Sequence, residues 1–344
     1  MLQQVVFGSA TVNYYFQSTV QALSQWYPTA QTIFITDQHI AALYPQVFLG
    51  RKTLVVPAGE QSKTMETIAS LSAQLLKMQA GRDTIFVGIG GGVITDITGF
   101  LASVYKRGVR FGFVPTSLLA MVDAAVGGKN GVNLDVHKNI IGTIRQPDFI
   151  LFDTSFLATL PRSEWSNGFA EIIKYACIFD EALFAQLAGT DLSAFQHDFG
   201  AASQVIARCV AWKNQTVQAD EHEHGQRKLL NFGHTVAHAI ENTEAIAHGQ
   251  AVSIGMVVAC GISAHVSGLD PTVAGQLKAL LQQYGLPAGR ALNADRVMEV
   301  LINDKKRKGD DIDYIVLEKI GRAAVMPLPL SLIDREIRNY DSNH

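Results

Sequence analysis

Cysteine is scarce in this chain. Cys177, Cys209 and Cys260 are the whole complement, odd in number, far apart and set among apolar residues. That excludes a disulfide framework and points to reduced core thiols, hence to a cytoplasmic setting. An excess of one charge is also missing: 28 Lys and Arg stand against 31 Asp and Glu, a net charge of −3. Neither nucleic acid nor a membrane is therefore predicted as a partner, although local basic clusters remain available to a small anion. Long hydrophobic runs are absent as well. The longest nearly apolar stretch, AVSIGMVVACGISA, is too short to span a bilayer and reads as a buried helix. The first residues, MLQQVVFGSATVNYYFQ, have neither the basic start nor the apolar run of a signal peptide. No internal repeat or low-complexity segment occurs.

What the chain does contain is enough apolar material, 48% of 344 residues, for two cores. Its first half alternates short apolar runs with amphipathic stretches. TIFITD, KTLVVPAG, TIFVGIGGG and FGFVPTS read as buried strands closed by Gly, Pro or Asp. Between them, SKTMETIASLSAQLLKMQAG reads as a helix capped by Ser62 and stopped at Gly81. This alternation predicts an α/β N-terminal domain, a mainly parallel sheet with helices on both faces. Beyond about residue 160 the texture becomes helical, with one hairpin signal in DYIVLEKIGRAAVMPL. The expected division is thus 1–160 for the α/β domain and 161–344 for a mostly α-helical C-terminal domain. A crevice between such domains is a common place for a ligand.

The segment IFVGIGGGVITD, Ile85 to Asp96, is a strand, a glycine run and a helix start. Its glycines would let backbone approach a pyrophosphate, with helix N–H groups facing the anion. The G-x-G-x-x-G fingerprint is not met, because Val93 takes the third glycine position, and a P-loop is absent. A tight turn without ligand is the competing reading. Asp37, at the end of TIFITD, offers a carboxylate for ribose hydroxyls or adenine. Glu60 and Lys63, in PAGEQSK, follow the next strand toward the same edge.

Three histidines crowd NFGHTVAHAIENTEAIAHGQAV. His234 and His238 are four apart, on one face of a helix, and His248 follows. HTVAH shares its histidine spacing with zinc proteases, but Thr235 stands where their general base belongs, which disfavours peptide hydrolysis. A catalytic metal site wants three protein ligands and one open position. Glu171 in GFAEIIKY is a plausible third, since an uncompensated carboxylate among apolar residues is costly. Spacing favours His238 beside His234 but does not choose between His238 and His248. A third group of residues, MVDAAVGGKNGVNLDVHKN, interrupts Asp123, Lys129, Lys138 and Asn139 with glycines and reads as an anion-binding loop. Lys213, Arg227, Asn231 and Lys305 lie downstream; Lys306, Arg307 and Lys308 read as a solvated face.

Taken together, VPTSLLAMVDAAVGGKNGVN, KNIIG, GFAEIIKY and LLNFGHTVAHAIE resemble the 3-dehydroquinate synthase family of sugar phosphate cyclases. The resemblance runs from about Asp37 to Gly321, with departures at Met121, Ala124, Ala125 and Ala237. It implies an NAD-binding α/β domain and a helical domain holding Zn2+ or Co2+, usually in a homodimer. It further implies conversion of 3-deoxy-D-arabino-heptulosonate 7-phosphate to 3-dehydroquinate and phosphate, a step of the shikimate pathway. The implied metal ligands are Glu171, His234 and His248, leaving His238 as a polar neighbour. Implied NAD contacts are Asp37, Glu60, Lys63, Gly91, Gly92, Val93, Asp96, Thr116, Ser117, Lys129, Lys138, Phe156 and Thr159. Implied catalytic residues are Lys129, Lys174, Arg227, His238, Asn139 and Lys213. Asp123, Asn231 and Lys305 would touch the phosphorylated sugar-acid substrate, with Arg107 reaching it from the neighbouring subunit.

Overall fold

A computed structural model describes residues 1–135, 137–244, 246–302, 307–308 and 311–342. The chain divides into two compact units. The first comprises Met1–Leu160 with Phe199–His222, and the second Pro161–Asp198 with Glu223–His344. The change of texture near residue 160 therefore marks only one boundary. Helix Phe199–Ala219 belongs with the first unit because its polar side chains are used there: Asn214 accepts a 2.8 Å hydrogen bond from the Tyr14 hydroxyl, and Lys213 pairs with Asp123.

Strands of the first unit run β1 (Leu2–Val6), β2 (Thr11–Phe16), β3 (Thr32–Asp37), β4 (Thr53–Val56), β5 (Ile85–Gly90) and β6 (Arg110–Pro115). They continue with β7 (Lys129–Leu134), β8 (His137–Ile144) and β9 (Phe149–Phe152). Seven of them form one sheet in the order β1-β2-β9-β6-β5-β3-β4, parallel except where β1 meets β2. Strands covered on both faces need apolar residues at every position. TIFITD and IFVGIG meet that need: all of β5, and all of β3 but its final Asp37, are buried. On one face Phe34, Val87, Ile89, Val114 and Phe149 join Leu23, Tyr27 and Phe156 in a core cluster.

The connection from β3 runs outward to β4, whereas β5 begins on the opposite side of β3. This reversal creates a crevice beyond the carboxyl ends of β3 and β5, the place where open α/β sheets bind ligands. Asp37 ends β3, and Gly91 follows β5 as the N-terminal boundary of helix Gly92–Val104.

Three sequence expectations require correction. Helix Met65–Lys77 is capped by Thr64, whose hydroxyl accepts from Thr67 N–H, while Ser62 lies in the preceding 3-10 turn. The glycine-rich segment after Asp123 is no open loop: β7 and β8 pair as an antiparallel hairpin. Asn130 anchors that hairpin, donating to the carbonyls of Gly128 and Arg145 and leaning so close to Gly99 that a Cβ there would lie 1.8 Å from its Oδ1. The apolar segment near the C-terminal half extends into helix His248–Val266, 19 residues long and apolar enough by composition to cross a bilayer. Length thus excludes nothing, but 72% of its apolar window is buried within the protein.

The second unit is built around helix Arg162–Phe179, buried continuously from Trp165 to Ile178, together with helices His234–Thr243 and His248–Val266. Short helices begin at Asp180 and Asp191, whose carboxylates accept from Leu183 N–H and Ala194 N–H, as N-caps should. The hairpin expected near the C-terminus is present: β10 (Arg307–Lys308), β11 (Asp311–Lys319) and β12 (Arg322–Pro329) form an antiparallel sheet.

Candidate active site

In the second unit, Glu171 comes from the middle of helix Arg162–Phe179, His234 opens helix His234–Thr243, and His248 opens helix His248–Val266. Their donor atoms all lie within 4.8 Å of one another. Nε2 of His234 stands 3.4 Å from Glu171 Oε1, and Nε2 of His248 stands 3.1 Å from the same oxygen. Each imidazole is held by its other nitrogen: His234 Nδ1 faces the Phe232 carbonyl at 3.1 Å, and His248 Nδ1 faces Glu241 Oε1 at 2.8 Å. Fixing Nδ1 leaves Nε2 free to ligate, the arrangement that metal-binding histidines require.

Charge around this cluster tests whether a cation fits. Glu171 is fully buried, and Lys174, one turn on, pairs with its Oε2. Burial alone would raise the Glu171 carboxyl, but the Lys174 ammonium and the two imidazoles hold it well below its ordinary range. Burial and the nearby Lys174 depress His234. Burial also pulls His248 down, yet its hydrogen bonds to Glu171 and Glu241 outweigh that effect and push it up to about 10. His248, held between Glu171 and Glu241, is thus the ring whose charge those two carboxylates favour. Two imidazole nitrogens and one carboxylate, with a position left open, suit a divalent zinc-like ion.

His238 is not part of that triangle. It is exposed, with its ring centre 5.4 Å from that of His234 and nearly perpendicular to it. Arg227 is buried in the 3-10 segment Gln226–Asn231, and Asn231 donates from Nδ2 to Glu223 Oε1 at 2.6 Å. Lys305 lies outside the described residues.

In the first unit, the strand ends gather the other predicted residues. Asp37 accepts from Ile40 N–H through Oδ1 and so caps the helix that follows it. Gly91, Gly92 and Val93 start helix Gly92–Val104 with no side-chain cap, leaving its first N–H groups and positive dipole end for an anion. Thr116 N–H bonds to Gly90 O, and Ser117 Oγ accepts from Ala120 N–H. Phe156 is buried and Thr159 Oγ1 pairs with the Tyr44 hydroxyl at 2.7 Å. Lys63 Nζ lies 2.5 Å from both Asp96 Oδ2 and Asn139 Oδ1. Asn133 completes the network, donating to Glu60 Oε1 and accepting from Asn139 N–H. Lys213 Nζ donates to both the side chain and the carbonyl of Asp123, at 2.8 and 2.6 Å. Lys129 and Lys138 are exposed on the hairpin, and Arg107 is exposed in a turn where it and Lys106 both take positive φ.

Sequence reasoning missed Asn133, Glu223 and Glu241. Glu241 carried a usable signal, a carboxylate two turns after His234 on the same helical face. Asn133 and Glu223 carried none, since their partners lie on other segments.

Comparison with known proteins sets this geometry in a lineage. Residues 53–167 match the family pattern described as 3-dehydroquinate synthase N-terminal, and residues 168–307 match 3-dehydroquinate synthase C-terminal. A 3-dehydroquinate synthase of Sulfurovum sp. (strain NBC37-1) is 39% identical over 342 residues, covering 96% of this chain and 97% of its own. Among solved structures, 2-deoxy-scyllo-inosose synthase complexed with carbaglucose-6-phosphate, NAD+ and Co2+ is similar, with a TM-score of 0.88. Identity there is 25%, over 99% of this chain and 100% of the other. A 2-epi-5-epi-valiolone synthase from Streptomyces hygroscopicus subsp. jinggangensis 5008, with NAD+ and Zn2+ bound, has a TM-score of 0.87 at 26% identity. Coverage is 100% of this chain and 99% of that one. With both halves matched in order and a relative aligned across nearly its whole length, the chain belongs to the 3-dehydroquinate synthase family.

Proposed function

We propose that the protein converts 3-deoxy-D-arabino-heptulosonate 7-phosphate to 3-dehydroquinate and phosphate, a phosphate-eliminating lyase reaction, with catalytic NAD and one divalent metal ion. The observation that carries the reading is the triangle of Glu171, His234 and His248, with both Nε2 atoms directed at one carboxylate oxygen. Family membership narrows the substrate, and the NAD+ and metal ions in the two related cyclases support the cofactors. When bound, NAD supplies reversible hydride acceptance at C5, and the metal supplies Lewis-acid polarisation of neighbouring hydroxyl oxygens.

The chain's own residues supply binding and charge. Asp37 accepts from ribose hydroxyls with the oxygen not used in its cap. Gly91, Gly92 and Val93 face the pyrophosphate, and Glu60, Lys63, Asp96, Thr116, Ser117, Phe156 and Thr159 line the remainder of the cofactor site. Lys129 and Lys138 add cations to that edge. By resemblance, Asp123, Asn139, Lys174, Lys213, Arg227, Asn231 and His238 bind the substrate's carboxylate, hydroxyls and phosphate. Oxidation beside the C–H bond adjacent to the phosphate ester acidifies it, and the departing phosphate oxygen can take that proton. The protein then needs no strong base there, only cations that hold the phosphate and stabilise its developing charge. Lys305 joins this set by resemblance. Arg107 would reach the phosphate from the second copy of a homodimer, and a cytoplasmic site of action accords with three reduced thiols.

One assay tests the reading. The purified protein, given the heptulosonate phosphate and substoichiometric NAD, should release phosphate continuously without net NADH. Chelation should stop release, and zinc or cobalt(II) should restore it. Steady NADH formation from glycerol-like alcohols, with no phosphate released, would replace this function with that of a polyol dehydrogenase.

A further inference from the structure

Glu241 closes the motif LLNFGHTVAHAIE, yet neither the histidine spacing nor the resemblance gave it a role. It lies two turns beyond His234 on the same helix, and its side chain is only 7% exposed. Its Oε1 stands 2.8 Å from His248 Nδ1, while Nε2 of that ring stands 3.1 Å from Glu171 Oε1. The imidazole is therefore gripped at both nitrogens. A proton on Nδ1 and shared with Glu241 leaves the Nε2 lone pair directed at the cluster. His234 is supported differently, because its Nδ1 faces a neutral backbone carbonyl, that of Phe232. The two histidines thus have unlike backing, one neutral and one anionic. Glu241 also ties together two helices, since it extends from the helix that His234 opens to the residue that opens the next.

We propose that Glu241 is a positioning residue for the metal, holding His248 in its Nδ1–H tautomer and strengthening Nε2 as a donor. A carboxylate behind a ligating imidazole fixes ring orientation and raises ligand basicity. Glu241 meets the nitrogen that faces away from Glu171, so it acts through His248 and not as a ligand itself. The inference rests on the metal reading above.

The test measures metal binding, independent of turnover. Zinc affinity is determined by chelator competition for the native chain, Glu241→Ala, Glu241→Gln and His234→Ala. Visible spectra of the cobalt(II)-loaded proteins and urea unfolding of the metal-free proteins accompany it. Glu241→Ala should bind zinc about 10–100-fold more weakly and shift the cobalt bands. Glu241→Gln, which keeps an acceptor oxygen, should lose less, with its metal-free unfolding midpoint unchanged. Should Glu241→Ala fail to fold, a measurable loss in Glu241→Gln at native stability still supports the role. Native zinc affinity and cobalt spectra in every folded Glu241 variant would overturn it, as would affinity losses that merely follow lost metal-free stability. If the native chain binds zinc no better than His234→Ala, the metal reading itself has failed and the role falls with it.

Discussion

The rings of His234 and His238 leave one helix a turn apart, their centres 5.4 Å apart and their planes at 83°, yet only His234 is buried. Shared spacing therefore does not make shared chemistry. His234 Nε2 is turned toward Glu171, while His238 lies on the exposed side of the same face. His234→Ala should abolish zinc binding. His238→Ala should bind zinc nearly as the native chain does while turnover falls by about 100-fold, the scale of a lost proton-transfer or polarising group. Metal content after dialysis, read beside phosphate release, checks both. Metal lost from His238→Ala and kept by His248→Ala would refute the ligand assignment.

The same comparison shows what a one-dimensional pattern can carry. Buried strands such as IFVGIG were legible because a sheet covered on both faces admits only apolar residues, and the glycines that close the run hold it to strand length. The division of the chain was not: helix Phe199–Ala219 has the period of its neighbours in sequence, and only Tyr14, 200 residues away, reveals where Asn214 is used. The hairpin of β7 and β8 was obscured by glycines and asparagines, although Ile140, Ile141, Thr143 and Ile144 carried a β signal. Glu171 was legible as an anomaly, a carboxylate in an apolar helix. Asn133 was not, because a half-buried asparagine resembles any turn residue until both of its partners are seen.

Lys63 and Asp96 form a pair with side chains 6% and 19% exposed. Burial raises the Asp96 carboxyl above its ordinary 3.8, and Lys63 only partly offsets this. A carboxyl whose folded pKa is raised binds its proton more tightly in the fold than in the unfolded chain. Its contribution to stability is therefore greatest in acid and declines as pH rises through that folded pKa. Lys63→Met removes the compensating ammonium and should cost about 3 kcal/mol at pH 7, with the cost shrinking toward pH 5 as Asp96 takes up a proton. Adding Asp96→Asn should recover part of the loss at pH 7. Urea unfolding at both pH values checks this; an identical loss at each would mean that the buried carboxylate is not the source.

Without a metal, Glu171 is compensated among the described residues by Lys174 and two imidazoles. An ion that binds the folded chain alone stabilises it by mass action. Zinc at 100 times its Kd should therefore add about 2.7 kcal/mol over the chelated protein. Glu171→Gln, which keeps the shape but not the charge, should gain almost nothing from zinc. Thermal unfolding across a zinc titration measures both, and an equal gain in Glu171→Gln would place the ion elsewhere.

Two glycines in helix His248–Val266 should respond in opposite ways to the same substitution. A Cβ on Gly255 would lie 2.0 Å from the Gly233 carbonyl oxygen and 3.2 Å from Ala237 N, backbone atoms at the start of helix His234–Thr243 that cannot rotate aside. Gly255→Ala must push the two helices apart, and with them His234 and His248. It should cost about 1–3 kcal/mol, the range for an overpacked core, and weaken zinc binding as well. At Gly261 the nearest atom to an added Cβ is Glu336 Oε2 at 3.9 Å, an ordinary contact. Gly261→Ala should therefore stabilise by about 0.4–1 kcal/mol, because alanine has less backbone freedom to lose on folding. Its zinc affinity should be native. Unfolding midpoints and zinc titrations of the two variants separate close helix contact from helix propensity, and a destabilised Gly261→Ala with a native-like Gly255→Ala would contradict this packing.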